Sequence, residues 1–262
     1  MADLGELALT FDNLGEASEL ERGTWPPGAP VGQHPSVTET LPRLLDELDS
    51  VGLGATFFVE AINCELYPDA LRAIAARGHE LGIHGWRHEH WAGLPAEHER
   101  SLLLRSRRAF ESLGLPARGF RPPGGGLNPS SPVLLLEAGV RWCSPEGHEF
   151  GVRDGLAVVS FEWELVDAYH LMDDFAELRV SRGDGDATLS ADEAVRRISA
   201  GVEAVSRGGG AATVILHPFL MLDPAWWAAA RALLARIARL GRDGELAVRT
   251  GGALARDLGA LR

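Results

Sequence analysis

Short apolar runs alternate along the chain with longer segments in which apolar residues return every three or four positions. Leu7–Phe11, Ala55–Val59, Leu81–His84, Gly119–Arg121, Ala157–Trp163 and Thr213–His217 are brief and bounded by polar or turn residues. That is the pattern of strands buried on both faces. The segments between them read as helices. In Thr38–Val51, Leu41, Leu44, Leu45 and Leu48 share one helical face. Tyr67–Arg77 repeats the spacing and stops at Gly78, a residue suited to the left-handed position after a helix. Pro95–Leu113, Ser131–Ala138, Ser190–Ser206 and Pro224–Leu240 complete the set, and Ser190 followed by Glu193 forms a capping box. Strands alternating with helices imply a parallel sheet. A length of 262 residues suits one α/β barrel better than two separate doubly wound units. With no repeat and no Pro/Gly/Ser linker, residues 1–262 are expected to form a single domain.

Composition narrows the chemistry. Acidic residues outnumber basic ones 37 to 25, for a net charge of −12, and every basic residue is arginine. A chain without lysine cannot use a Schiff base, a lysine general base or a P-loop lysine. The acidic balance argues against nucleic acid and anionic membranes as partners, because both demand a basic footprint. No apolar stretch approaches the roughly 20 residues of a membrane span. Met1–Thr10 lacks a basic and then apolar leader pattern, so a cytoplasmic location and a small-molecule substrate are expected. Cys64 and Cys143 have neither metal-site spacing nor the numbers of a disulfide framework. Nothing in the pattern selects an oligomeric state.

In parallel α/β folds the working residues sit where strands end. Four of the strands expected here end in reactive side chains: Thr10-Phe11-Asp12-Asn13, His84-Gly85-Trp86-Arg87-His88, Arg121-Pro122-Pro123-Gly124-Gly125 and His217-Pro218. His84 and His88 stand four residues apart after an apolar run, a spacing that lets two imidazoles reach one divalent ion if the segment turns helically.

These motifs, in this order, resemble the polysaccharide deacetylase superfamily, the NodB-homology or carbohydrate esterase family 4 domain. Ala55-Thr56-Phe57-Phe58-Val59 and Gly78-His79-Glu80-Leu81-Gly82-Ile83-His84 add to the likeness, which runs from about Leu7 to about Thr250. The details are most similar to the branch of peptidoglycan-deacetylase-like proteins and allantoinases. The resemblance implies a distorted (β/α)7 barrel and a divalent-metal hydrolase of carbon–nitrogen bonds, with Zn, Co, Ni or Mn as the ion. It assigns His84 and His88 as metal ligands, Asp12 as general base, Arg121 as the residue orienting that base, and His217 as the acid that protonates the leaving nitrogen. Gly124 falls where many relatives carry tyrosine and would still offer a backbone N–H to an oxyanion. Trp163 would wall the pocket and Asp167 would hold His217. Asn13 stands where the family usually has a ligating aspartate. It either holds the ion with less charge or marks a site that has lost its metal. Two alternatives follow from that departure: metal-independent acid/base chemistry on the same fold, such as ring opening or cyclisation, and a non-catalytic binding protein with a residual site. The Gly15–Pro35 segment, through Trp25-Pro26-Pro27, is expected to lie over the pocket, and Ala168–Phe175 to line it.

Overall fold

The computed structural model describes residues 4–259. Its strands are β1 (Gly5–Asp12), β2 (Thr56–Val59), β3 (Glu80–Ile83), β4 (Gly119–Phe120), β5 (Trp142–Cys143), β6 (Phe150–Arg153), β7 (Leu156–Val159), β8 (Ala211–Leu216) and β9 (Leu246–Arg249). They form one sheet in the order β6-β7-β5-β4-β3-β2-β1-β8, with β9 added to β1. All pairings are parallel except the β6–β7 hairpin. β1 is long enough to serve three neighbours. β8 runs beside Glu6–Phe11, while β9 takes Gly5–Ala8 and β2 takes Thr10–Asp12. The open seam is crossed by a Val166–Ile215 bridge and by the Thr213 hydroxyl, which donates to the Ser160 carbonyl at 2.8 Å. The result is a nearly closed barrel whose parallel strands β1 to β5, β7 and β8 match the expected (β/α)7 plan.

The interior explains the burial pattern. Leu7, Leu9, Phe11, Phe57 and Val59 pack outward against the helices. On the opposite face Ala8, Phe58, Trp142, Ala157 and Val159 pack with Leu254 and Ala255. Those last two belong to the helix Gly251–Asp257, capped by Thr250. The Gly251 and Gly252 N–H groups donate to Thr56 and Glu80 at 2.8 Å each. Both acceptors begin strands, so this helix closes the amino end of the barrel and leaves the carboxyl ends open. An added Cβ at Gly119 or Gly251 would lie 2.3 or 2.2 Å from the Trp142 ring, so the indole fits only because both positions lack a side chain.

The structure differs from the expected elements in several places. Only Ala157–Val159 of the Ala157–Trp163 run is laddered, in a strand that begins at Leu156. Phe161 makes an isolated bridge, and Trp163–Leu165 turns into a short 3-10 segment. The Thr38–Val51 helix begins at Ser36 as a wider π turn before continuing as Leu41–Val51. Pro42 has no N–H to give the carbonyl four residues back, which accounts for the interruption. β5, β6 and β9, and the helix Ala17–Arg22, were outside the expected set. No helix among the described residues is long and apolar enough to cross a membrane.

Candidate active site

The carboxyl ends of β1, β3, β4 and β8 converge on one cavity of about 320 Å³. Asp12, Asn13, His84, His88, Arg121, Gly124, Trp163 and His217 all line it. Asp167 lies behind His217 rather than on the wall.

Arg121 locks Asp12. Its guanidinium is 1% exposed and donates to Asp12 Oδ1 at 2.6 Å and to the Thr10 hydroxyl at 2.8 Å. The other edge of the guanidinium donates to the Ser144 hydroxyl at 2.8 and 3.2 Å, and its plane lies 4.2 Å over the Phe58 ring. A buried carboxylate needs such a partner, since an unpaired charge out of water is costly. With Oδ1 held, Oδ2 faces His84 Nε2 at 3.9 Å. Asn13 follows with φ near +61°. Asn tolerates this left-handed conformation better than most residues, and it turns the chain sharply out of β1.

The His84–His88 segment is a turn rather than the helix its spacing suggested. Gly85 and His88 both take positive φ, near +74° and +73°. Glu89 builds the turn by accepting the Trp86 and Arg87 N–H groups at 2.9 and 3.0 Å. Arg105 anchors it from outside, stacked 3.5 Å over Trp86. The two imidazoles still meet, edge to face, with centroids 4.9 Å apart. His84 Nδ1 donates to the Arg121 carbonyl at 2.8 Å, which leaves Nε2 with its lone pair toward the cavity. Burial pushes the pKa of each histidine down to about 3. Both are therefore neutral, the form that binds a metal.

His217 faces them from β8. Its Nδ1 donates to Asp167 Oδ1 at 2.6 Å, and its backbone N–H donates to Oδ2 at 2.8 Å. Asp167 is fully buried and also accepts the Ala168 N–H at 2.7 Å and the Trp226 indole N–H at 3.2 Å. Burial opposes the imidazolium, but the Asp167 carboxylate outweighs it and raises the His217 pKa. Ser144 and Trp226 carried no motif of their own. They become visible only through these bonds.

Gly124 takes φ near +77°, and the Gly125 N–H is engaged by the Pro122 carbonyl at 2.9 Å. The remaining wall is apolar, from Phe161, Trp163, Val166, Met172, Phe175, Ile215 and Phe219. Within Ala168–Phe175, Ala168, Met172, Asp174 and Phe175 reach the cavity as expected. The Gly15–Pro35 expectation is corrected in detail. Gly15, Ser18, Glu19 and Arg22 line the cavity, whereas Trp25 is not among the lining residues and packs on His34 with centroids 5.8 Å apart. An exposed Arg22–Asp174 ion pair at 3.5 Å joins the two lining segments at the rim.

The sequence pattern missed Glu60, which follows β2 and is fully buried. A carboxylate oxygen of Glu60 and one ring nitrogen each of His84 and His88 lie within 4.8 Å of one another. Glu60 Oε1 and Asn13 Oδ1 are both buried without a hydrogen-bond partner. Two neutral imidazoles beside unpartnered oxygens form a donor set that fits a divalent ion.

A parallel barrel with its chemistry gathered at the carboxyl ends of the strands defines the class of α/β barrels with strand-end sites. Within that class the chain belongs to the polysaccharide deacetylase family, whose model matches residues 5–143. A Mycobacterium smegmatis protein described as a polysaccharide deacetylase superposes with a TM-score of 0.82 at 27% identity, covering 99% of this chain and 92% of that one. Peptidoglycan-N-acetylglucosamine deacetylase from Bacillus cereus is 28% identical over 109 residues, 41% of this chain and 37% of the relative. Peptidoglycan deacetylase from Helicobacter pylori is 30% identical over 103 residues, 39% of this chain and 35% of the relative. The match therefore spans little more than a third of these two curated relatives.

Proposed function

We propose that the chain hydrolyses a carbon–nitrogen amide bond, removing an acyl group such as acetyl from a small N-acylated or sugar-like substrate with the aid of a divalent metal ion. The observation that carries this reading is the opposition, across one cavity, of an arginine-locked aspartate and an aspartate-backed histidine, with two neutral histidines beside them. Both curated relatives quoted above are named as deacetylases, which supports the reaction class.

Each residue has one task. Asp12 Oδ2 takes a proton from the attacking water, while Arg121 keeps the other oxygen from turning away. General-base assistance of this kind is typically worth about 10²–10⁴-fold. His84 and His88 would hold a divalent ion, and such an ion polarises an amide carbonyl and lowers the pKa of water. The Gly124 backbone N–H would serve as the donor to the oxyanion. His217 Nε2 gives a proton to the departing nitrogen as the C–N bond breaks. Water's oxygen ends in the carboxylate product and its proton reaches the amine. Trp163 and its apolar neighbours exclude water from the acyl group. The modest cavity and the Arg22–Asp174 pair at its rim favour a compact substrate over a polymer threaded through an open groove.

The test is turnover of a panel of N-acetylated and cyclic amides by purified protein, with Zn, Co, Ni and Mn content measured on the same sample. Activity that follows added metal and disappears in Asp12→Ala supports the proposal. Asp12→Ala with undiminished activity sinks it. The neutral Asn13 favours a second reading, metal-independent acid/base chemistry by Asp12 and His217 on a cyclic substrate. Full activity of chelator-treated protein would select that reading.

A further inference from the structure

We propose that Glu60 supplies the carboxylate that position 13 lacks, so that a divalent ion is held by His84, His88 and Glu60. This rests on the reading of His84 and His88 as metal ligands and goes beyond it by assigning the anionic partner.

The first argument is charge. A ligating imidazole is a neutral donor, and Asn13 offers only a neutral amide oxygen. A dication on those three groups alone would have no anion among its ligands, since Asp12, whose Oδ1 is held by Arg121, is assigned to the attacking water. Carboxylate and imidazole together are the donors that first-row divalent ions take up readily.

The second argument is position. Glu60 follows β2 as Asn13 follows β1, and these strands are neighbours whose registered pairs include Asp12 with Phe58. Glu60 Oε2 accepts the Leu14 N–H at 3.3 Å and an Asn63 amide N–H at 3.4 Å, and Asn63 also donates to the Leu14 carbonyl at 2.8 Å. The Glu60 carboxyl is thus bound to the residue next to Asn13. From there one of its oxygens lies within 4.8 Å of the ring nitrogens of both histidines.

The third argument is the orphaned oxygen. Glu60 is fully buried, yet Oε1 has no hydrogen-bond partner. A buried carboxyl that only fastened a loop would use Oε2 and have no need to leave its other oxygen without a partner. Leaving a buried acceptor unpaired costs about 1–3 kcal/mol in the general case, so the arrangement calls for something that binds there. Arg121, the arginine in this cavity's floor, is already committed to Asp12, Thr10 and Ser144.

Zn²⁺ binding to the full chain, stripped of metal and titrated by calorimetry, tests the assignment. Glu60→Gln keeps the shape and removes the charge. Because loss of a partner outside the ligand set already costs roughly 10–100-fold in affinity, loss of a ligand should cost at least about 100-fold. Asn13→Gly retains the positive φ and is expected to change affinity by less than about threefold. Asn13→Asp placed on Glu60→Gln should restore binding. The visible spectrum of the Co²⁺ form gives a second readout, and its ligand-field bands should change in Glu60→Gln and persist in Asn13→Gly. If Glu60→Gln binds Zn²⁺ as the parent does while Asn13→Gly loses it, Asn13 is the ligand and the proposal is overturned. If the parent chain itself binds no Zn²⁺, the metal-dependent reading fails first and takes this assignment with it. Should Glu60→Gln fail to fold, Asn13→Gly alone still decides, since a large loss there refutes the role given to Glu60.

Discussion

Asp167→Asn isolates the part of the site that sets the protonation of His217. Asp167 accepts four hydrogen bonds, from the His217 N–H and Nδ1, the Ala168 N–H and the Trp226 indole. A carboxylate satisfies all four as acceptor only. An asparagine amide cannot, because either orientation points its NH₂ at a donor: Nδ1–H and Ala168 on one side, the His217 N–H and Trp226 on the other. The charged bond to Nδ1 is worth about 1.5–3 kcal/mol in general. At about 1.4 kcal/mol per pKa unit, its loss should lower the His217 pKa by roughly one to two units. In the parent chain that pKa is raised by Asp167 above the ordinary value, so the variant should titrate below the parent. NMR of ¹³C-labelled histidine, with the His217 signal assigned by its loss in His217→Gln, reads both midpoints directly. The sign for stability follows. A folded-state pKa that is raised gives stabilisation present in full below the unfolded value and lost as pH rises through the folded one. The pH-dependent part of the difference in unfolding free energy between parent and variant should therefore shrink as pH climbs past the ordinary histidine range. Turnover should fall by about 10²–10⁴-fold, with the alkaline limb of kcat moved to lower pH. An unchanged His217 midpoint in Asp167→Asn would refute the assignment of Asp167 as the group that holds the imidazolium.

Other consequences are as concrete. Arg121→Met leaves Asp12 buried without its partner, and urea unfolding at neutral pH should show a loss of roughly 3–5 kcal/mol. Gly119→Ala and Gly251→Ala each drive a methyl into the Trp142 ring. Each should cost roughly 1–3 kcal/mol by thermal melting, and a neutral result would contradict the close packing described for the barrel floor. Glu89→Gln places an amide N–H against the Trp86 or Arg87 N–H and loosens the turn that presents His84 and His88. Zn²⁺ affinity should drop about 10-fold or more while the fold persists by circular dichroism.

Much of the fold was legible because β1, β2, β3 and β8 are built around short apolar runs, and the helices between them carry a clear apolar stripe. β4 and β5 have two residues each, too few to show any period. β5 therefore emerged only in three dimensions, as did β6 and its pairing with β7, whereas β7 itself lies largely within the expected Ala157–Trp163 run. The same holds at the site. Asp12, His84, Arg121 and His217 stood out as polar residues at the ends of apolar runs. Glu60 carries that same signal after Val59, but a lone acid before a helix has no local pattern to mark it.

What the sequence determined by itself was the kind of chemistry available and the local direction of the chain: acids, histidines and arginine at strand ends, no lysine, and parallel strands joined by helices. The tertiary structure decided which of these groups meet. Asp12 and Arg121 are 109 positions apart in the chain, and His217 and Asp167 are 50 apart. They come within hydrogen-bond distance because the parallel sheet curls until the carboxyl ends of β1, β3, β4 and β8 face a common cavity. The turn at His88 was likewise set by a positive φ and by Glu89 beneath it, not by the four-residue spacing that first marked the pair. Spacing along a chain constrains neighbours within a turn or two. Pairing between distant strand ends depends on register and barrel closure, which are properties of the packed sheet.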